Sequence, residues 1–113
     1  MSDKFTERAE KALNSAVGIA EEYGHTYIGT EHLLLALLTD SGCCAGVLLA
    51  RNSVTREKVD AAVRDYSGTG IRSCLTPKDM TPRCRKVVEA AYRNSLKYGA
   101  TRIGTEHILL SLT

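Results

Sequence analysis

Small and aliphatic residues recur every three or four positions in two long stretches of this chain. In the first stretch they are Ala9, Ala12, Leu13, Ala16, Val17 and Ala20, and in the second they are Val87, Val88, Ala91 and Ser95. This spacing is typical of the buried face of an amphipathic helix. We predict two long helices that end at Tyr23 and Tyr98, because the glycine that follows each tyrosine favours the left-handed conformation that closes a helix.

The predicted helices have recognisable starts. Thr6 and Thr81 carry hydroxyl groups that can accept hydrogen bonds from the free amides of a first helical turn. Pro82 stands at the position where proline is most favourable in a helix. After each long helix, a short loop leads into a shorter apolar helix, which we predict to be capped by Thr30 or Thr105. The apolar residues of the shorter helices are Leu34, Leu35, Leu37 and Leu38 in the first, and Ile108, Leu109, Leu110 and Leu112 in the second.

The middle of the chain predicts two more helices and a linker. Residues 45–51 form a short apolar segment, and Thr55 is placed to cap a helix that runs to about Tyr66. Residues 67–79 contain glycine and proline and are predicted to be a loop. The low proline content and the abundance of alanine and leucine favour helix over sheet throughout.

Residues 5–38 and 80–113 are copies of one another. Without a gap, 15 of the 34 aligned positions are identical, which indicates an internal duplication. We therefore predict a single all-α domain over residues 1–113, a pseudo-two-fold duplicated helical repeat. The first repeat covers about 5–66, the linker 67–79 and a partial second repeat 80–113. Because nothing in the second copy corresponds to 39–66, we expect the apolar face of residues 108–112 to lack its cover.

Charge and hydropathy exclude several classes of protein. The formal net charge is only +2, and acidic and basic residues are interspersed, whereas a nucleic-acid-binding face usually shows a basic cluster. The chain has no leader-like segment and no apolar run of about 18 residues that would span a membrane. We therefore expect a cytoplasmic protein that binds neither nucleic acid nor membranes.

The four cysteines do not predict a metal site or a catalytic centre. In a reducing compartment they are expected to be free thiols, and their spacing does not match the ligand pairs of zinc sites. No local signature of a nucleophilic enzyme surrounds any of them. Cys84 lies near a predicted helix start, which would lower its pKa and make it a reactive thiol. We predict that the chain has no catalytic residues, no bound metal and no cofactor.

Two motifs, each present twice, resemble those of a known family. Residues 29–37 and 104–110 share the pattern Gly-Thr-Glu-His followed by aliphatic residues, and residues 5–9 and 80–83 carry the paired helix starts. Together they resemble the N-terminal repeat domain of Clp/Hsp100 AAA+ unfoldases, closest to the ClpC type. The resemblance implies a bundle of about eight helices in front of two ATPase rings.

The resemblance also implies a function. Such a domain docks adaptor proteins and receives substrate proteins, which the ATPase rings unfold and feed to the ClpP protease. This chain contains no Gly-x-x-x-x-Gly-Lys-Ser/Thr phosphate loop, so ATP would bind only in the rings of a parent protein. The alternative is a stand-alone Clp-repeat accessory protein that regulates or stabilises a Clp complex.

ClpC-type domains resemble receptors for phosphoarginine, and the duplicated residues suit that ligand. A guanidinium group pairs well with a carboxylate, while a phosphate is favoured by helix N-termini and by arginine. The candidate ligand-binding residues, in two equivalent pockets, are Thr6, Arg8, Glu31, Thr81, Arg83 and Glu106. Which glutamate faces which helix start remains open in the sequence. The competing interpretation is that these threonines and glutamates only stabilise helix starts.

The two repeated histidines are predicted to be structural. His32 and His107 directly follow the glutamates, and this pattern differs from the His-Glu-x-x-His motif of zinc peptidases. We expect both rings to be packed or hydrogen-bonded inside the domain. His25 has no counterpart in the second copy, and the sequence assigns it no role.

Overall fold

The regular structure consists of helices. A computed structural model describes residues 4–40, 42–71 and 73–113, and within them six α-helices occur. They are α1 (Glu7–Tyr23), α2 (Thr30–Thr39), α3 (Cys44–Arg51), α4 (Arg56–Ser67), α5 (Pro82–Lys97) and α6 (Thr105–Leu112). A single 3₁₀ turn, Pro77–Asp79, precedes α5. The predicted all-α class is confirmed, and α5 ends one residue before the predicted Tyr98.

The long helices start as predicted. The Thr6 hydroxyl accepts a hydrogen bond from the Ala9 amide at 3.1 Å, and the Thr81 hydroxyl accepts one from the Cys84 amide at 3.0 Å. Each bond satisfies one of the amides that a helix leaves free in its first turn. Both threonines are therefore caps, which is the role that the competing interpretation gives them.

The short helices start one residue earlier than predicted. Gly29 and Gly104 are the N-caps, so Thr30 and Thr105 lie inside the first turn. The ring Nδ1 atom of His32 accepts a hydrogen bond from the Gly29 amide at 2.8 Å, and His107 does the same for Gly104. The histidine thus reaches back to the cap, which needs no side chain of its own. The predicted structural role of both histidines is confirmed.

Short backbone bridges join the two repeats at two places. The loop before α2 pairs with the segment before α5, through an Ile28–Met80 bridge in which the Thr81 amide donates to the Ile28 carbonyl at 2.9 Å. The equivalent Phe5–Ile103 bridge joins the start of α1 to the loop before α6, again at 2.9 Å. We call residues 28–31 with 80–83 the first junction, and residues 103–106 with 5–8 the second junction. The two junctions are equivalent positions in the two copies, as a pseudo-two-fold duplication predicts.

The core lies between the two repeats and is aliphatic. α1 packs on α2, α5 packs on α6, and α2 also contacts α6. Buried alanines on the long helices, Ala9, Ala16, Ala20 and Ala91, are inaccessible to solvent and allow close packing of the neighbouring backbones. Phe5 and Ile103 from the second junction and Ile28 from the first are buried in the same core. The bridges between the repeats therefore help to build the core.

The linker is held across the end of α1. Gly24 ends this helix with φ +73°, and a Cβ atom added there would overlap the backbone of Gly70 and Ile71. The Gly70 amide donates to the Tyr23 carbonyl at 2.8 Å, and the Leu75 amide donates to the Glu21 carboxylate at 2.8 Å. Glycine at position 24 is thus required both by conformation and by space.

The last helix, α6, is more buried than the sequence analysis predicts. Ile108 is fully buried, since it points into the core between the repeats, whereas Leu110 is 44% exposed. The prediction of an uncovered 108–112 face is therefore wrong for Ile108. No single helix in the described part of the chain has the length and hydropathy of a membrane span, although α2 and α3 together, bent by 93°, would meet that test by length and composition.

Candidate functional site

The first junction borders a cavity of about 800 Å³. Its walls come from the start of α2, the start of α5 and one face of α4. The lining residues are Gly29, Thr30, Glu31, Leu34, Ser53, Val54, Lys58, Val59, Ala62, Val63, Tyr66, Ser67, Thr81 and Arg83. Three of the six predicted ligand-binding residues, Glu31, Thr81 and Arg83, are among them. The glutamate of the first repeat therefore faces the helix start of the second, which the sequence left open.

Glu31 is held over the start of its own helix. The Tyr27 hydroxyl donates to Glu31 Oε2 at 3.2 Å, and a Cβ atom added at Gly29 would overlap Glu31 Oε1. A carboxylate in the first turn is favoured by the helix dipole. Gly29 has an ordinary backbone conformation, and a side chain at this position would displace the Glu31 carboxylate from its place over the helix start.

The Glu31 carboxylate affects the pKa of the Cys84 thiol, which lies in the first turn of α5. Burial, together with a smaller effect of the Glu31 carboxylate in the same direction, raises the pKa of Cys84 to about 11. The prediction that Cys84 has a lowered pKa is therefore wrong, because the side chain is fully buried and loses more from desolvation than it gains from the helix start.

The start of α5 offers one free amide and no acidic side chain. Pro82 has no N–H group, the Cys84 amide donates to the Thr81 hydroxyl, and the Arg85 amide donates to the Thr81 carbonyl. Among the described residues this leaves the Arg83 amide without a hydrogen bond inside the first turn. The exposed Arg83 guanidinium adds a full positive charge. Such a helix start attracts anions.

The second junction repeats the backbone but not the surroundings. Arg8 donates to both carboxylate oxygens of Asp40, at 2.8 and 2.9 Å, and acidic Glu7 and Glu10 occupy the first turn of α1. Glu106 lines a different cavity, of about 480 Å³. Arg8 lines another cavity, of about 170 Å³. The side chains near α1 therefore disfavour a bound anion at the second junction.

A pair of histidines connects α2 to the end of α4. Because the Gly29 amide can only donate, His32 Nδ1 accepts and Nε2 carries the proton, which it donates to His25 Nδ1 at 2.7 Å. His25 Nε2 then donates to the Gly68 carbonyl at 2.9 Å. We assign both rings as neutral from this order of donors. Burial lowers the pKa of His32 to about 4, against an opposing effect of Glu31.

His25 is the residue that the sequence reasoning missed. It stacks between Tyr23 and Tyr27, with ring centroids 5.3 Å apart on each side. The Tyr27 hydroxyl also lies 3.4 Å from the Ser67 hydroxyl, so the stack supports the edge of the cavity. Because Ala100 occupies the equivalent position in the second copy, a comparison of the repeats does not indicate this role of His25. The available signal was its position seven residues before a buried histidine.

The cavity presents groups that can bind a ligand. Within the described residues, no group of three or more histidine, cysteine or acidic side chains is arranged to hold a metal ion. The cavity combines one carboxylate, one free amide and a guanidinium at its polar end with aliphatic side chains at the other. This arrangement can pair with a ligand that carries both a cationic and an anionic group.

The fold and the exchanged junctions define the class of this protein as a duplicated helical repeat domain. The sequence matches the model of the Clp repeat (R) N-terminal domain over residues 4–113, so the chain belongs to that family. It is 39% identical to the negative regulator of genetic competence ClpC/MecB of Bacillus subtilis over 112 residues, which are 99% of this chain and 14% of that protein. It is 38% identical to the chaperone protein ClpB of Oceanobacillus iheyensis, also over 99% of this chain and 14% of that protein.

Solved structures share the fold. The N-terminal domain of the chaperone ClpD from Arabidopsis thaliana has a TM-score of 0.77 and 26% identity, with 99% of this chain and 77% of that chain covered. The ClpV N-domain in complex with a VipB peptide has a TM-score of 0.76 and 19% identity, with 96% and 66% covered. The resemblance to N-terminal domains of Clp proteins is confirmed. The chain spans about one seventh of the length of the relatives named above.

Proposed function

We propose that this chain is the recognition domain of a ClpC-type ATP-dependent unfoldase and that it binds phosphoarginine-marked proteins. In this role it also docks adaptor proteins, and the ATPase rings of a parent protein pass the captured substrates to the ClpP protease in the cytoplasm. The proposal is supported by family membership and by the ClpC and ClpB proteins among its relatives. The peptide complex of the ClpV N-domain shows that a domain of this fold can receive a peptide.

The cavity at the first junction carries the proposal. A phosphorylated guanidino group combines an N–H face with a phosphate, and the cavity places Glu31 opposite the start of α5. Glu31 would accept hydrogen bonds from the guanidino N–H groups, while the Arg83 amide and guanidinium would donate to the phosphate. Thr81 holds the first turn of α5 in the conformation that presents this amide. The second set, Thr6, Arg8 and Glu106, is not expected to bind with comparable affinity.

A calorimetric titration with phosphoarginine tests this proposal. Glu31→Gln removes the charge of the acceptor at the first junction, and Glu106→Gln makes the same change at the second. We expect the first variant to lose most of the affinity and the second to bind like the wild type, with circular dichroism confirming that both remain helical. Absence of binding to the wild type would overturn the proposal and leave these residues as helix caps.

The stand-alone accessory protein remains a second candidate, because one surface suits a protein partner. Leu48 on α3 lines a cavity together with Leu110 and Tyr98, and the exposed fractions of these three residues are 41%, 44% and 63%. Exposed apolar groups of this kind mark interaction surfaces when they are contiguous. Sedimentation of the purified chain with separately expressed Clp ATPase rings would support this role, and Leu110→Asp should abolish it.

A further inference from the structure

The cavity at the first junction has two chemically different halves. Its polar half contains Glu31, Thr81 and Arg83, as described above. Its other half is mainly apolar, with Leu34 from α2 and four aliphatic residues in and before α4, which are Val54, Val59, Ala62 and Val63. Ser53, Lys58, Tyr66 and Ser67 from the same segment also line the cavity. Val63 is buried, whereas the other aliphatic residues are partly open to the cavity or to solvent. A ligand with only polar groups would leave this half unused.

The size of the cavity exceeds the needs of a single amino acid. At about 800 Å³ it lies in the upper part of the range of pockets that enclose drug-sized ligands, about 300–1,000 Å³. Both halves open into the same space, since one cavity joins Glu31 to the face of α4. A ligand that fills both halves must therefore be longer than the marked side chain alone.

The spacing of the two halves matches an extended peptide. Glu31 and Leu34 lie one turn apart on α2, which places their Cβ atoms about 5–6 Å apart. In an extended peptide, side chains two positions apart point to the same side, and they are about 6.6 Å apart. We propose that the site reads two side chains of a substrate, the phosphoarginine and an aliphatic residue two positions away from it. This inference rests on the proposed function and adds a preference for the neighbouring sequence.

The apolar half at the first junction is built by the first repeat. Its wall is α4, which follows the duplicated residues 5–38 in the chain. At the second junction, Leu109 is the counterpart of Leu34, and it lines the separate cavity beside Leu48 and Tyr98. The preference for an aliphatic neighbour is therefore assigned to the first junction.

Peptide binding to the intact domain tests the inference. Two labelled peptides carry phosphoarginine with leucine or serine two positions away, a third carries unmodified arginine with leucine, and free phosphoarginine is the reference. We expect the leucine peptide to bind about tenfold more tightly than the serine peptide, a difference of about 1.4 kcal/mol. The unmodified peptide should bind much more weakly than either marked peptide.

Variants of the cavity wall locate the preference. Val59→Thr keeps the shape of the side chain but adds a hydroxyl group to the apolar half, and Ala62→Ser does the same at a more exposed position. Each should reduce the preference for leucine about threefold. Val47→Thr makes the same change at an exposed valine on α3 that does not line the cavity, and it should leave the preference intact.

The outcomes separate the inference from the proposed function. Equal binding of the leucine and serine peptides, at an affinity close to that of free phosphoarginine, would overturn the inference and retain the proposed function. A preference for leucine that neither cavity variant reduces, while both variants remain folded, would overturn its assignment to α4. Failure of free phosphoarginine and of both marked peptides to bind would overturn the proposed function and the inference together.

Discussion

The first and second junctions have the same backbone but different chemistry. In both, a loop amide and carbonyl bridge to the segment before a long helix, and a glutamate follows the glycine cap of the short helix. At the first junction the long helix starts with proline and arginine, and its first turn holds no acidic residue. At the second junction Glu7 and Glu10 stand in that turn, and Asp40 binds Arg8. A duplicated motif therefore does not imply a duplicated site.

The packing around the two junctions differs as well. At the first junction α4 supplies an apolar wall, and the His25–His32 pair joins that wall to α2 through the Gly68 carbonyl. At the second junction His107 keeps its hydrogen bond to the cap, but Ala100 stands where His25 would be. The motif itself forms the helix start, while the surrounding residues decide whether it also forms a cavity.

The largest contrast is expected at the glycines that end the two long helices. Gly24 and Gly99 have similar φ values, +73° and +70°, but only Gly24 lies against another segment of backbone. Gly99→Ala should cost about 1–2 kcal/mol of the free energy of unfolding from left-handed strain alone. Gly24→Ala should cost about 3 kcal/mol or more, because the added Cβ atom overlaps the Gly70 backbone as well. Urea denaturation measures both losses, and equal losses would contradict the close approach.

The next contrast is the pH dependence of stability. The folded-state pKa of His32 is about 4, below the ordinary value of 6.5, mainly because the ring is buried. The unfolded chain binds a proton at this position first, so the contribution is complete above pH 6.5 and decreases as the pH falls towards 4. Between pH 7 and pH 5 we expect a loss of about 2 kcal/mol from this group.

Denaturation of the wild type and of His25→Ala at the two pH values checks this dependence. His25→Ala places the second-repeat residue at this position and opens the buried ring of His32 to solvent. The variant should be less stable at pH 7 and should lose less stability on acidification. A wild-type protein whose stability changed by the same amount as that of the variant would contradict the buried neutral pair.

A smaller contrast concerns the two arginines. Arg83→Ala should weaken phosphoarginine binding about tenfold, which corresponds to about 1.4 kcal/mol, because it removes a charge-assisted contact to the phosphate. Arg8→Ala should change the affinity less than twofold, because Arg8 is paired with Asp40. Calorimetry on both variants distinguishes the two junctions. A larger loss of affinity in Arg8→Ala than in Arg83→Ala would show that phosphoarginine binds at the second junction and would contradict the proposed site.

The smallest effect is expected from the ion pair at the second junction. The Arg8 side chain is 56% exposed and that of Asp40 is 32% exposed, so solvent screens their attraction. Asp40→Asn should change the free energy of unfolding by less than about 0.5 kcal/mol. It should also fail to create a second phosphoarginine site, because Glu7 and Glu10 remain. Detection of two sites in a titration of this variant would show that the Arg8–Asp40 ion pair alone prevents phosphoarginine from binding at the second junction.

Much of the fold could be predicted from the sequence, because helix periods, caps and duplication are local signals. Thr6, Thr81 and Thr55 are caps where the pattern predicted them. The N-caps Gly29 and Gly104 were not predicted. The side chain that completes each cap belongs to the histidine three residues later, whereas the threonine next to each glycine is itself a typical N-cap residue. The predicted boundaries of the domain, of the linker 67–79 and of the two repeats stay predictions.

The candidate site was less predictable, because it depends on contacts between distant segments. The duplicated motifs predict the six residues, but only the pairing of segments between the repeats brings Glu31 to Thr81 and Arg83. The wall from α4 lies outside the aligned residues 5–38 and 80–113, and His25 is replaced by Ala100 in the second copy, so the comparison of repeats contained no signal for either.

One junction, and not both, is expected to bind the phosphorylated guanidino group. Nuclear magnetic resonance on the ¹⁵N-labelled chain, titrated with phosphoarginine, tests it at individual amides. We predict saturable shifts for the amides of Glu31 and Arg83, with those of Glu106 and Arg8 unchanged at the same ligand concentration. Equal, saturable shifts at both junctions would contradict this account and restore two equivalent sites.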